Sequence, residues 1–170
     1  MALAAVMMCI TGLSCKPGQP RKLLNRPAPD FMLQDIDGNR FYLSAHKGKP
    51  VLLNFWSVHC VPCLKEMPQL QKLWSRYKDE KVVVTGICTD PGESSYLLEL
   101  LKGMNIDYPI LIDNDHSVGK AYAVHAEPVT FIIDAEGVVR FHATGYDQNS
   151  IKNYTAQLIR LMQQRGANET

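Results

Sequence analysis

Two cysteines separated by two residues, Cys60-Val61-Pro62-Cys63, can close a small disulfide ring or open to a dithiol. The thiolate is the reactive form of such a pair, so what matters is whether the chain stabilises it. The pair follows the apolar run Val51 to Trp56, which reads as a strand covered on both faces. After it, Leu64, Met67, Leu70, Leu73, Trp74 and Tyr77 recur at three- to four-residue spacing, one face of a helix. A dithiol that opens a helix meets unpaired backbone N–H groups and the positive end of the macrodipole, both of which favour thiolate. Pro62 suits the first turn, where no N–H donor is needed. Cys60 at the cap is expected to be the more exposed and to attack first; Cys63, one turn in, is expected to be buried and to resolve the mixed disulfide. The pair has other possible uses. Half of a zinc site is one, but no second pair follows at zinc-finger spacing. His59 could join His125 or His142 in a copper or zinc site. A purely structural disulfide across so short a loop would stabilise little.

The elements that must present this pair are legible around it. Phe31 to Leu33 and Arg40 to Leu43 flank Asp37-Gly38, a hairpin signal. Val82 to Ile87 reads as a second buried strand, with Cys88 at its end as an apolar filler. Ser94 to Lys102 reads as a helix stopped by Gly103. Ile110 to Ile112 is a short strand and Ser117 to Tyr122 a short helix. Val129 to Ile133 and Val138 to Phe141 flank Glu136-Gly137, and Ile151 to Met162 is a closing amphipathic helix. Alternating strands and helices, then a hairpin and helix, indicate an α/β sandwich around a mixed sheet.

The chain has 170 residues, 46% apolar and 21% charged, with a formal net charge of +1. That is enough for one domain with a core. The balance argues against a dedicated nucleic-acid binder. The total hides an asymmetry, since Lys16, Arg21, Lys22 and Arg26 precede the first acid, Asp30. Three segments are expected: an apolar, charge-free start over 1–15, a proline-rich basic linker over 16–29, and the domain over 30–170. Fifteen residues span about 22 Å as a helix, short of a roughly 30 Å hydrocarbon core. The start fits the apolar region of an export signal better. Gly12-Leu13-Ser14-Cys15 resembles a lipoprotein processing site, which would lipidate Cys15 and anchor the chain at a membrane. The linker, with Pro17, Pro20, Pro27 and Pro29, reads as a spacer.

The segment Asn54-Phe55-Trp56-Ser57-Val58-His59-Cys60-Val61-Pro62-Cys63-Leu64-Lys65-Glu66-Met67-Pro68 resembles the active-site region of the thioredoxin superfamily. It is most similar to the TlpA-like and ResA-like thiol-disulfide oxidoreductases, which include cytochrome c maturation proteins. A second motif, Ala126-Glu127-Pro128-Val129-Thr130-Phe131, resembles the loop in which that family carries a cis-proline opposite the cysteines. The resemblance implies a thioredoxin-like sandwich, a mixed β-sheet flanked by helices, with an N-terminal β-hairpin extension. It also implies a cis Glu127–Pro128 bond whose neighbouring backbone pairs with substrate. His59 stands where the family has tryptophan; as imidazolium it could stabilise the Cys60 thiolate. Glu66 lies three residues after Cys63, near it on the helix. A carboxylate there disfavours thiolate by like-charge repulsion, and Glu127 adds a second. Pro68 breaks the helix ladder where thioredoxin-like proteins share a proline. Trp56 is expected in the core, at the edge of the site.

The resulting expectation is a thiol-disulfide oxidoreductase acting outside the cytoplasm as a monomer. It would sit in the periplasm or on the outer face of the cytoplasmic membrane. Its work would be to reduce protein disulfides, those of apocytochrome c among them, with electrons from a membrane thiol donor. No cofactor is implied, since no nucleotide-binding glycine fingerprint occurs. Two alternatives share the fold: a thiol peroxidase, whose signature would need proline where Leu53 stands, and a copper-binding or client-holding module.

Overall fold

The computed structural model describes residues 20–168 apart from 81 and 93. The apolar start, with Cys9 and Cys15, lies outside the described residues. The strands are β1 (Met32–Asp35), β2 (Arg40–Tyr42), β3 (Val51–Ser57), β4 (Val83–Asp90), β5 (Ile110–Ile112), β6 (Val129–Ile133) and β7 (Val139–Thr144). The helices are α1 (Val61–Tyr77), α2 (Ser94–Gly103), α3 (Ser117–Ala121) and α4 (Ser150–Asn168). The described strands form one sheet in the order β2-β1-β5-β4-β3-β6-β7. β3, β4 and β5 run parallel, while β1–β2 and β6–β7 add antiparallel pairs at the two sides. The mixed sheet expected from the sequence is therefore present, hairpin extension included. Gly38 turns that hairpin at φ +84°, a left-handed conformation that glycine adopts without strain.

β3 is buried along its whole length because both its faces are covered. Leu52 and Trp56 point into a core shared with Met67, Leu70 and Leu73 of α1, Leu97 and Leu101 of α2, and Leu158 of α4. Val51, Leu53 and Phe55 point the other way, toward Phe41, Val118, Tyr122 and Phe131. The period-2 alternation of one strand thus feeds two cores, which is why its sequence reads as a continuous apolar run.

Three boundaries differ from the sequence expectation by three residues or more. β4 continues to Asp90, because pairing of Gly86 with Ile110 and Cys88 with Ile112 carries the ladder past Ile87. Cys88 is therefore inside the strand, not at its end. β7 runs to Thr144 although its second half is polar, since Ala143 and Thr144 pair with Thr130 and Val129. α4 extends to Asn168, beyond Met162.

The larger difference concerns the linker. Its second half lies along β7 instead of standing free as a spacer. Asn25 N–H donates to the Val139 carbonyl (2.7 Å), Val139 N–H to Arg26 (3.0 Å) and Ala28 N–H to Gly137 (2.9 Å). Pro27 bridges to Val138, and Leu23 and Ala28 pack on the second core. A sheet edge offers unpaired backbone groups, and an extended proline-containing segment can satisfy them at its non-proline positions. Among the described residues, no helix is long and apolar enough to cross a membrane.

Candidate active site

The chain leaves β3 at Ser57, turns through Val58 and His59, and enters α1 with Cys60 as its N-cap. Cys60 is extended (φ −87°, ψ 97°), and its sulfur accepts a hydrogen bond from the Cys63 backbone N–H at 3.2 Å. That bond uses one of the donors that every helix start leaves unpaired. Cys60 and Cys63 are joined as a disulfide with Cα atoms 5.2 Å apart. Cys60 is half-buried and Cys63 fully buried, in the order expected of them. Pro62 lies in the first turn and is exposed, and Val61 beside it is 61% exposed. An apolar residue that open next to a disulfide makes part of a surface, not of a core.

Glu66, expected near Cys63 on the helix, lies one turn beyond it and is completely buried. Its two carboxylate oxygens are held from opposite sides. Asn54 Nδ2 of β3 donates to Oε2 at 2.9 Å, and the Tyr154 hydroxyl of α4 donates to Oε1 at 2.9 Å. Asn54 Nδ2 also lies 3.0 Å from Thr130 Oγ1 of β6. Burial pushes the Glu66 carboxyl up from 4.5 to about 7, and the hydrogen bonds from Tyr154 and Asn54 pull against that rise. An ionisable group poised near neutrality beneath the cysteines is an arrangement associated with functional sites. Burial likewise raises the Tyr154 hydroxyl, and the nearby Glu66 charge adds to the rise.

The loop before β6 reaches the same end of the sheet. Phe55 of β3 pairs with Val129 of β6, so Pro128 stands beside the strand end that leads to Cys60. The Glu127–Pro128 bond is cis, and the Pro128 carbonyl accepts from Gly145 N–H at 2.7 Å. Glu127 is half-buried; one of its carboxylate oxygens lies 2.7 Å from the Thr89 hydroxyl.

The remaining candidates fall at different distances from the chemistry. His59 is exposed and lies 4.0 Å from the Asp90 carboxylate, with side chains 75% and 57% accessible. Trp56 is fully buried in the core under α1, so its ring does not line the surface. Among the described residues, no group of three or more histidine, cysteine or acidic side chains is arranged to hold a metal ion. Cys88 is buried and free, and burial pushes its thiol up to about 12. Asn54, Tyr154, Thr130 and Thr89 were not singled out by sequence. Asn54 alone carried a signal, as the polar residue inside an apolar strand.

Comparison with known proteins agrees with this geometry. Residues 24–142 match the model of the AhpC/TSA family. The chain is 36% identical over 134 residues to the thiol-disulfide oxidoreductase ResA of Bacillus subtilis, covering 78% of this chain and 74% of that protein. It is 39% identical over 119 residues to ResA of Geobacillus kaustophilus, covering 69% and 67%. A crystal structure of a thiol:disulfide interchange protein of the thioredoxin family from Chlorobium tepidum superposes with a TM-score of 0.70 at 23% identity, covering 80% of this chain and 95% of that one, and so shows the shared fold. The chain belongs to the AhpC/TSA family and, within it, to the ResA-type thiol-disulfide oxidoreductases, with Cys60 and Cys63 as a disulfide-bonded CXXC pair.

Proposed function

We propose that this oxidoreductase works as a reductant of protein disulfides outside the cytoplasm, with the disulfides of apocytochrome c as its substrate. The observation that carries the direction is Glu66, a buried carboxylate one turn from Cys63. When ionised it opposes negative charge on the cysteines, and a dithiol whose thiolate is destabilised is a better electron donor.

The Cys60 thiolate attacks one sulfur of the client disulfide. A Cys60–client bond forms and the other client sulfur leaves as thiolate. Cys63, deprotonated, then attacks Cys60, which closes the Cys60–Cys63 disulfide and frees the second client sulfur. Two electrons pass to the client, and the protons of the dithiol end on the client thiols. A membrane thiol donor reverses both steps on the protein. Val61 and Pro62 give the client an exposed apolar rim, and the backbone around Glu127 and Pro128 pairs with its chain. His59 lies next to the attacking sulfur and modulates it when protonated. Trp56 acts by packing under the cysteine turn.

Export and anchoring belong to the same proposal. The charge-free start, a lipidated Cys15 and a monomeric domain fit a compartment where disulfides persist. Equilibration with a glutathione series tests the direction. The proposal expects a potential at or below about −200 mV, and a value near −120 mV, the strong-oxidant end of the family's range, would overturn it.

A further inference from the structure

Thr89 lies outside both cysteine and proline motifs, yet it stands between them. It is only 5% exposed, near the end of β4. Its hydroxyl oxygen is 2.7 Å from a Glu127 carboxylate oxygen and 3.3 Å from the Trp56 carbonyl. A hydroxyl has one proton to give, so it donates to one acceptor at a time. The shorter contact and the charge on the carboxylate favour Glu127. One buried hydroxyl therefore fixes the carboxylate that precedes the cis-proline, while touching the strand that delivers Cys60. Valine would fill much the same volume, so packing alone does not require a hydroxyl here.

Among the described residues, neither Glu127 nor Asp90 forms an ion pair with a lysine or arginine; Asp90 faces His59. Asp90 follows Thr89 directly and is exposed beside His59. Asp90 pairs with Ser57 on the strand that leads to Cys60, and Glu127 adjoins Pro128, so these carboxylates flank the place of a client cysteine seated between Cys60 and Pro128.

We propose that Thr89 is a positioning residue whose hydroxyl holds the Glu127 carboxylate at the rim of the disulfide, where that charge selects client polypeptides carrying lysine or arginine beside the cysteine to be exchanged. The inference rests on the exchange reading above. Its test uses three matched disulfide peptides with Lys, Gln or Glu next to the cysteine, and kcat/KM for the wild type, Thr89→Val, Thr89→Ser and Glu127→Gln. The ratio of cationic to acidic peptide within one variant cancels losses of active protein. The wild type should prefer the cationic peptide by about threefold to fivefold at low salt, the range of one exposed ion pair. That preference should shrink toward one in about 1 M salt. Thr89→Val and Glu127→Gln should both bring the ratio near one, whereas Thr89→Ser should keep it. A wild-type ratio near one, or a Thr89→Val ratio equal to wild type, would overturn the inference while leaving exchange intact. Failure of the wild type to turn over all three peptides would instead bring down the exchange reading and this inference with it.

Discussion

Replacing Glu66 by glutamine removes the charge while keeping the shape of the side chain. The carboxyl is raised from 4.5 to about 7 by burial. At about 1.4 kcal/mol per tenfold change in proton affinity, that rise corresponds to about 3 kcal/mol. The sign follows from proton counting. Between pH 4.5 and 7 the unfolded chain has released this proton and the folded chain has kept it, so stability falls as pH rises. Below 4.5 both states are protonated and nothing is lost; above 7 both are ionised and the full loss is in place. Glutamine can turn its carbonyl toward Asn54 Nδ2 and its amide toward the Tyr154 hydroxyl oxygen, and any cost of that rearrangement is the same at every pH. The informative quantity is therefore the pH dependence of the difference between variant and wild type. With the disulfide closed, urea midpoints measured from pH 5 to 8 should converge or cross in favour of the variant. A change of about 2 to 3 kcal/mol and a slope of about 2 kcal/mol/M move the midpoint difference by about 1 M. A difference that stays constant across that range would show that Glu66 is not a buried titrating carboxyl.

The same Glu66→Gln variant should be the less reducing protein, its glutathione equilibrium shifted upward by about 30 mV for each tenfold change in the exchange constant; an unchanged potential would remove Glu66 from the redox argument. In Gly86→Ala the new Cβ would come within 2.8 Å of Ile110 Cδ1 and 3.0 Å of Trp56 Nε1. The surrounding rings are fully buried, so chemical denaturation should show a loss of about 1 to 3 kcal/mol together with altered tryptophan fluorescence. Cys88 is buried with its thiol pushed up to about 12; peptide mapping after alkylation of the reduced native protein at pH 8 should find it unmodified, and modified once urea is added. Labelling without urea would place that sulfur at the surface.

Much of this site is legible in the sequence. The spacing of Cys60 and Cys63, an apolar strand before them and a periodic helix after them define the redox turn without tertiary information. Pro62 and Pro128 fall at positions whose backbone constraints are local. The surroundings were less visible, for a physical reason. Whether Glu66 faces solvent or core depends on Asn54 and Tyr154, 12 and 88 residues away along the chain. Helical spacing brings Glu66 near Cys63 but does not say which neighbours cover it. Thr89 is still less legible, since its role exists only because the end of β4 meets the loop before β6. The linker illustrates the converse. Prolines exclude a helix or a central strand, yet they leave Asn25 to Ala28 free to cap the edge of β7, a contact that local composition does not encode.

The most direct examination of the exchange chemistry is capture of its covalent intermediate. Cys63→Ser, reduced and mixed with a disulfide-bearing peptide, should accumulate an adduct with the mass of one peptide strand, mapped to residue 60 and released by dithiothreitol. Cys60→Ser under the same conditions should form none. Adducts of equal yield in both variants, or none in either, would contradict a more accessible first cysteine that attacks and a fully buried second one that resolves.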